Sequence, residues 1–266
     1  MKHVMMIFLS VLVVSGCSEQ DGYNPNTSRS PGRGSESLGK VFYLDGAGNM
    51  GFGQETVGQG LRLAGFNGNV ENIIWTSFTG PLGDQVIRLN ARLRSENLTK
   101  KIRSYQKRCP QAPVYVIGLS AGTGVAVWGI ENLPEDIKVD AVVLLGSSLS
   151  KSYNMARCLK HVKNKVYVLY SPHDAVLNGF IPITGTIDGA YLVEPAGLVG
   201  MTPPNNVKPE TIQAYQEKIV NIPWQESFER MGNAGGHTDG TSLSFVRGYV
   251  APKLLGIGPK QIHPAD

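Results

Sequence analysis

Charge is scarce in this sequence, and the charges do not cluster. Only 17% of the 266 residues are charged, and the formal net charge of +4 is spread without long runs of lysine or arginine. A nucleic-acid-binding surface needs basic residues gathered on one face, so we expect no nucleic-acid partner. Long apolar runs are also lacking, because the stretch from Val4 to Val14 is too short to span a bilayer.

Glycine, by contrast, is abundant. The chain contains 32 glycines, which predicts many tight turns. At 266 residues the chain is long enough for one α/β domain with a full hydrophobic core. A single domain is therefore the simplest interpretation.

The N-terminus has the pattern of a secretory signal. Lys2 gives a short basic start, and the apolar run from Val4 ends in Val14-Ser15-Gly16-Cys17. This ending resembles the lipobox of bacterial lipoproteins, where cleavage before the cysteine leaves it as a lipidated N-terminus. The resemblance implies a signal peptide over 1–16, a lipid on Cys17 and a protein anchored to a membrane of the bacterial cell envelope. The alternatives are an ordinary cleaved signal with an incidental cysteine, or a buried N-terminal strand.

The segment after Cys17 has almost no aliphatic residues. Residues 18–39 therefore cannot bury enough surface to offset the entropy of ordering. We expect a flexible tether over 17–39, one domain over 40–258 and a short tail over 259–266.

Two cysteines remain once Cys17 is assigned to the anchor. Cys109 and Cys158 each come just before a predicted strand, at the same edge of the predicted sheet. An oxidising envelope compartment would allow a disulfide between them, and two buried thiols are the alternative.

Short β-rich runs alternate with helical ones after the tether. The predicted strands are 41–44, 71–75, 114–117, 141–145, 166–170 and 218–222. This alternation predicts an α/β fold with a mainly parallel sheet of about six strands and helices on both faces.

The segments between the strands predict helices over 55–63 and 241–254, and a long helix between the second and third strands. In the long helix, apolar residues recur at near-helical spacing and predict a face that packs on the sheet: Val86, Leu89, Leu93, Ile102 and Tyr105. Residues 175–206 are rich in glycine and proline without clear periodicity, which predicts an irregular cap or lid.

One strand-to-helix junction carries a nucleophile motif. Gly118-Leu119-Ser120-Ala121-Gly122 matches G-x-S-x-G, directly after a short buried strand and before a run of small residues typical of a helix. In such a turn the serine hydroxyl is exposed, and the glycines stand where side chains would clash. Ser120 is therefore the candidate nucleophile.

A serine hydroxyl needs a histidine to take its proton and a carboxylate to orient that histidine. Asp174 follows the fifth predicted strand, at the sheet edge where α/β enzymes collect functional groups. His237 lies in a glycine loop after the last strand, which gives the chain order Ser, Asp, His. Asp188 and Glu194 are weaker candidates for the acid.

From about Lys40 to Leu254 the chain resembles the α/β-hydrolase superfamily, in a compact form like cutinases and small lipases or esterases. The resemblance depends on the serine elbow, the Ser171-Pro172-His173-Asp174 loop and the loop of His237. It implies an oxyanion hole formed by the backbone N–H of Ala121 and of Ala47, or of Gly48 one residue later.

These residues together predict a serine hydrolase that cleaves a small-molecule or lipid ester through an acyl-enzyme, with no metal or cofactor. An acyltransferase could use the same triad if water were excluded. A non-catalytic envelope lipoprotein with a hydrolase fold is the alternative outside enzymes, because a fold alone does not establish a function.

Overall fold

The computed structural model describes residues 34–75 and 84–256, and the side chains of 84–87 are not described. The predicted signal peptide over 1–16, the lipidation site Cys17 and the predicted tail over 259–266 lie outside these residues. Within the described ranges, no helix is long and apolar enough to cross a membrane.

The strands are short and mostly buried. They are β1 (Lys40–Leu44), β2 (Asn69–Asn72), β3 (Val114–Leu119), β4 (Ala141–Leu145), β5 (Val166–Tyr170) and β6 (Ile219–Pro223). All residues of β1 and β4 are buried, because both strands have helices on each face.

Helices fill the connections between the strands. They are α1 (Thr56–Leu63), α2 (Asp84–Arg108), α3 (Gly122–Glu131), α4 (Ala156–Lys160), α5 (Ala175–Thr184), α6 (Ala196–Val199) and α7 (Pro209–Lys218). The C-terminal helix consists of α8 (Leu243–Phe245), a π-helical turn (Val246–Val250) and α9 (Ala251–Leu255).

The six strands form one sheet in the order β2-β1-β3-β4-β5-β6, and every pairing is parallel. The chain moves from β1 outward to β2 and then crosses back to β3, so the strand order reverses between β1 and β3. In open parallel sheets, functional groups collect at the carboxyl ends of the strands beside such a reversal. The predicted α/β fold with a parallel sheet of six strands is confirmed.

The core has two halves, one on each face of the sheet. Phe42 and Leu44 of β1 join the half covered by α2, α3, α4 and α7. Val41 and Tyr43 join the half covered by α1 and the C-terminal helix. This alternation is the two-residue period of a strand, and it confirms helices on both faces.

Two elements near the first strands differ from the prediction. β2 occupies Asn69–Asn72 and not 71–75. Leu89 and Leu93 of α2 are exposed, so their assignment to the core is wrong. Five buried side chains of this helix recur at intervals of four and three residues, and Thr99 is buried beside them: Ala91, Ser95, Leu98, Ile102 and Tyr105.

The buried face of α2 differs from the predicted one because α2 packs very close to α3. Thr99 Oγ1 donates to the carbonyl of Gly129 at 2.8 Å, and a Cβ at Gly129 would lie 2.8 Å from the side chain of Leu98. Helices this close need small or polar residues such as Ala91 and Ser95 at the contact, and hydrophobic periodicity does not identify those residues.

The end of the predicted tether belongs to the domain. Glu36–Leu38 forms a 3₁₀ turn, and the Glu36 carbonyl accepts a hydrogen bond from Tyr105 of α2. The Glu36 carboxylate pairs with Lys40 and Arg108, both at 3.1 Å. The predicted boundary at residue 40 is therefore too late, because Glu36 has partners that lie far along the chain.

The segment over 175–206 is less irregular than predicted, because it contains α5 and α6. Backbone hydrogen bonds of 2.7 Å from Ala196 to Leu149 and from Gly197 to Ser147 attach it to the loop after β4. A Cβ at Gly197 would lie 2.5 Å from backbone atoms of that loop, so this glycine permits close packing rather than an irregular conformation.

The two remaining cysteines do not form the disulfide proposed from the sequence. Cys158 lies on α4 and is a buried free cysteine. Burial raises the pKa of its thiol. Cys109 lies after α2 and is not bonded to it. For Cys158, the alternative of a buried thiol is therefore correct.

Glu71 offers a test of the charged cluster at the start of β1 and β2. Its carboxylate forms ion pairs with Lys40, at 2.7 Å, and with Lys101. Burial alone would raise the pKa of Glu71, but the hydrogen bonds from Lys101 and Lys40 outweigh burial, and the pKa is lowered. The ionised form is therefore favoured in the folded state, and its stabilisation is lost as the pH falls through the lowered pKa.

We expect Glu71→Gln to lower the free energy of unfolding at pH 7 by about 1 kcal/mol, or about 2 to 4 °C in Tm. The difference from wild type should shrink between about pH 5 and pH 3, where both states become protonated. Thermal unfolding followed by circular dichroism measures this. Glu96→Gln, at an exposed pair 3.8 Å from Lys100, is the control and should change Tm little. If the Tm of Glu71→Gln stayed as far below that of wild type at pH 3 as at pH 7, the ionised Glu71 carboxylate would not be the source of the stabilisation.

Candidate active site

Ser120 lies on a tight turn between β3 and α3. Its φ of 53° is in the left-handed region, which only a constrained turn imposes on a residue with a side chain. The flanking glycines are required by contact: a Cβ at Gly118 would lie 2.9 Å from Thr123 Cα, and one at Gly122 would lie 2.3 Å from the Asp45 carbonyl oxygen. The strand-turn-helix surroundings of the G-x-S-x-G motif are present as predicted.

Asp174 and His237 form a hydrogen-bonded pair. His237 Nδ1 lies 2.7 Å from Asp174 Oδ2, and the side chains are only 12% and 3% exposed. The other carboxylate oxygen, Oδ1, accepts the backbone N–H of Leu177 at 2.9 Å and caps α5. One carboxylate therefore both caps a helix and orients the imidazole.

Gly146, directly after β4, lies at the meeting point of the three residues. A Cβ at this position would lie 3.3 Å from Asp174 Oδ2 and 3.4 Å from His237 Nδ1. The preceding carbonyl, of Leu145, accepts the Ser120 N–H at 2.9 Å. The backbone at the end of β4 thus lies between the serine turn and the Asp174–His237 pair, and the glycine leaves no side chain there.

The loop that carries His237 is braced by side chains. The Asp239 carboxylate accepts the N–H of Gly236 at 2.9 Å, and Asn233 Oδ1 accepts the N–H of Gly235 at 3.0 Å. These bonds satisfy backbone donors in a glycine-rich loop and fix the position of the imidazole. The sequence indicated this loop only through its glycines.

The backbone N–H groups of Ala121 and Ala47, named as oxyanion donors, have no acceptor in the part of the chain that the structure describes. Ala121 is the N-cap residue of α3, at the helix end where backbone N–H groups and the helix dipole favour negative charge. A Cβ at Gly46, the residue before Ala47, would lie 3.3 Å from Ser120 Cβ, so the loop after β1 borders the serine.

The other candidate residues have different partners. The Asp188 carboxylate accepts hydrogen bonds from the backbone and hydroxyl of Ser150, at 2.8 and 2.7 Å, and Glu194 forms an ion pair with Lys151. His173 packs edge-on against Trp224, with ring centroids 4.8 Å apart. Asp188 and Glu194 therefore bind residues of the loop after β4 and do not contact the imidazole of His237.

No family model matches the sequence, and no curated protein matches it at a significant level. Solved structures do match. Lipase B of Aspergillus fumigatus is 13% identical over 87% of this chain and 56% of that chain, with a TM-score of 0.52. A cutinase-like protein from Cryptococcus sp. is 14% identical over 84% of this chain and all of that chain, with a TM-score of 0.44.

The chain has the α/β-hydrolase fold. At such low identities the likeness concerns the α/β-hydrolase fold alone, because activity depends on the residues of a site. For function, the arrangement of Ser120, Asp174 and His237 is therefore the relevant observation.

Gly146→Ala tests whether the end of β4 fixes the Asp174–His237 pair. The added methyl would press on both side chains at a residue whose φ is +48°, where alanine is strained. We expect Ser120 reactivity with an ester or an organophosphonate to fall about 10- to 100-fold, since misplacement by about 1 Å costs that much. Gly179→Ala on α5, where nothing lies within 4 Å of the new methyl, is the matched control and should react normally. Equal rates for the two variants would contradict the role of Gly146.

Proposed function

We propose that this protein is a serine hydrolase that cleaves carboxylic esters, with Ser120 as nucleophile, His237 as base and Asp174 as the orienting acid. The observation that carries the proposal is the buried hydrogen bond of 2.7 Å between Asp174 and His237 at the strand end beside the left-handed Ser120. A serine turn alone has many uses. Together with a nearby imidazole oriented by a carboxylate, it supports acyl-transfer chemistry.

In the proposed reaction, His237 accepts the Ser120 proton as Oγ attacks the ester carbonyl carbon. The carbonyl electrons move to oxygen, and the resulting oxyanion is stabilised by the N–H groups of Ala121 and Ala47. The intermediate collapses, the alcohol leaves with the proton from His237, and an acyl-enzyme remains. Water then attacks the acyl carbon with His237 again as base, and His237 returns the proton to Ser120 Oγ as the carboxylic acid is released. Asp174 stabilises the imidazolium formed in each half of the reaction.

Exposed apolar side chains near this end of the sheet support an apolar ester as substrate. Met50 and Phe52, in the loop after β1, are 68% and 50% exposed. Phe180 of α5, the helix capped by Asp174, is 58% exposed. An ester with an apolar acyl or alcohol group would cover these side chains, and such burial is favourable.

Fluorophosphonate labelling tests the activated serine directly, because the probe reacts with such a serine whatever ester the enzyme cleaves. We expect the wild type to be labelled, Ser120→Ala to be unlabelled, and His237→Ala to react at least about 1000-fold more slowly. His173→Ala and Ser148→Ala are matched controls and should label normally, because the His173 ring packs on Trp224 and Ser148 contacts the serine turn only through its backbone N–H, 3.4 Å from the Ser120 carbonyl oxygen. Absence of labelling in folded wild type would favour the non-catalytic alternative.

A product assay separates hydrolysis from acyl transfer. An aryl ester is supplied with a primary alcohol, and the acid and the new ester are quantified. We expect the acid to predominate, because water opens the acyl-enzyme unless the site excludes it. Predominance of the new ester at low alcohol concentration would indicate an acyltransferase.

We also propose that Cys17 carries a lipid that anchors the protein to a membrane of the bacterial cell envelope. The support is the apolar run over 4–14 followed by Ser15-Gly16-Cys17. Metabolic labelling with a fatty acid should mark the wild type and not Cys17→Ser, and the variant should leave the membrane fraction. A fatty-acid label retained by Cys17→Ser would contradict the anchor.

A further inference from the structure

The Asp45 side chain lies inside the loop that follows β1. It is 1% exposed, and its carboxylate accepts three backbone N–H groups: Gly46 at 2.8 Å, Gly51 at 2.7 Å and Phe52 at 3.1 Å. Tyr43 adds a hydroxyl donor at 3.3 Å. Burial raises the pKa of Tyr43, and the nearby Asp45 charge raises it further, so its hydroxyl stays protonated and donates.

The loop held by this carboxylate depends on glycines for its turns. Gly48, Asn49 and Gly51 have φ values of 78°, 49° and 89°, all in the left-handed region. Glycine reaches these values without a steric penalty, but it has more conformational freedom to lose than any other residue, so a loop with two such glycines needs an anchor to keep one conformation. The carboxylate at the centre of the loop supplies that anchor, because its two oxygens can accept several N–H groups at once.

We propose that Asp45 is a positioning residue that holds the loop over 46–52 so that the Ala47 N–H faces the oxyanion formed at Ser120. The inference rests on the proposed function. Asp45 itself does not touch the substrate in this arrangement. It acts through the backbone of Gly46, which borders Ser120, and through the two N–H groups at the far end of the loop.

Thr241 extends the same arrangement to the histidine. Its hydroxyl lies within hydrogen-bonding distance of the carbonyl of Phe52 and, at 2.7 Å, of the carbonyl of Thr238, which follows His237. The single hydroxyl proton serves one carbonyl at a time. Thr241, 3% exposed, therefore connects the loop held by Asp45 to the loop that carries His237.

Asp45→Asn in the full-length protein is the primary test. An amide has one oxygen where the carboxylate has two, so it cannot accept from Gly46 and from Gly51 together, although its volume is the same. The measurements are kcat and KM for an aryl ester, and Ki for an aryl trifluoromethyl ketone, which forms a tetrahedral adduct with an activated serine. We expect kcat to fall about 10- to 100-fold and KM to change less than about 3-fold. Ki should rise by the same factor as kcat falls.

Asp140→Asn is the matched control. Asp140 also accepts a backbone N–H, from Val114 at 2.8 Å, but at the opposite end of the sheet. This variant should lose stability and keep kcat and Ki. A purely structural role for Asp45 would give the same result as Asp140→Asn, and that outcome would overturn the inference.

A second variant keeps the test decisive if Asp45→Asn does not fold. Thr241→Val removes the hydroxyl at nearly constant volume, and we expect a fall in kcat of about 3- to 10-fold with a parallel rise in Ki and an unchanged KM. Unchanged kcat and Ki would then overturn the inference. Failure of the wild type to react with a fluorophosphonate refutes the proposed function instead, so the two failures are distinguishable.

Discussion

The first turn of α3 lies against the end of β1 with no room for a side chain between them. A Cβ at Gly122 would lie 2.3 and 2.5 Å from the carbonyl oxygens of Asp45 and Leu44. This contact brings the helix that follows Ser120 against the loop that follows β1. The left-handed turn at Ser120, the position of the Ala121 N–H and the fold of the loop over 46–52 all depend on it, because each would shift if the helix moved outward.

The parts of the fold that follow from local pattern could be predicted from the sequence. The central strands β1, β3, β4 and β5 are runs of β-branched and apolar residues, and their burial is the property that such runs encode. Ser120 could be identified because glycines on both sides of it are demanded by the turn itself. Asp174 could be identified by its place after β5, and the structure adds that it also caps α5, as an aspartate in a turn does.

The parts that depend on contacts between distant residues could not be predicted. The buried face of α2 is set by its closeness to Gly129, so Ala91 and Ser95 are buried while Leu89 is exposed. Glu36 belongs to the domain because its charge meets Lys40 and Arg108. Asp45 follows a strand and precedes a glycine, which is a common turn signal, and nothing in that pattern reveals a carboxylate enclosed by its own loop.

The hydroxyl of Thr241 has a further consequence for how this site can vary. Because one proton is shared between the carbonyls of Phe52 and Thr238, a change that displaces either loop alters the support of the other. The effects of substitutions in the two loops should then be non-additive, and a double-mutant cycle would give a coupling energy rather than zero. In evolutionary terms, we expect substitutions in the two loops to co-vary, with a change on one side of the serine accompanied by a change on the other.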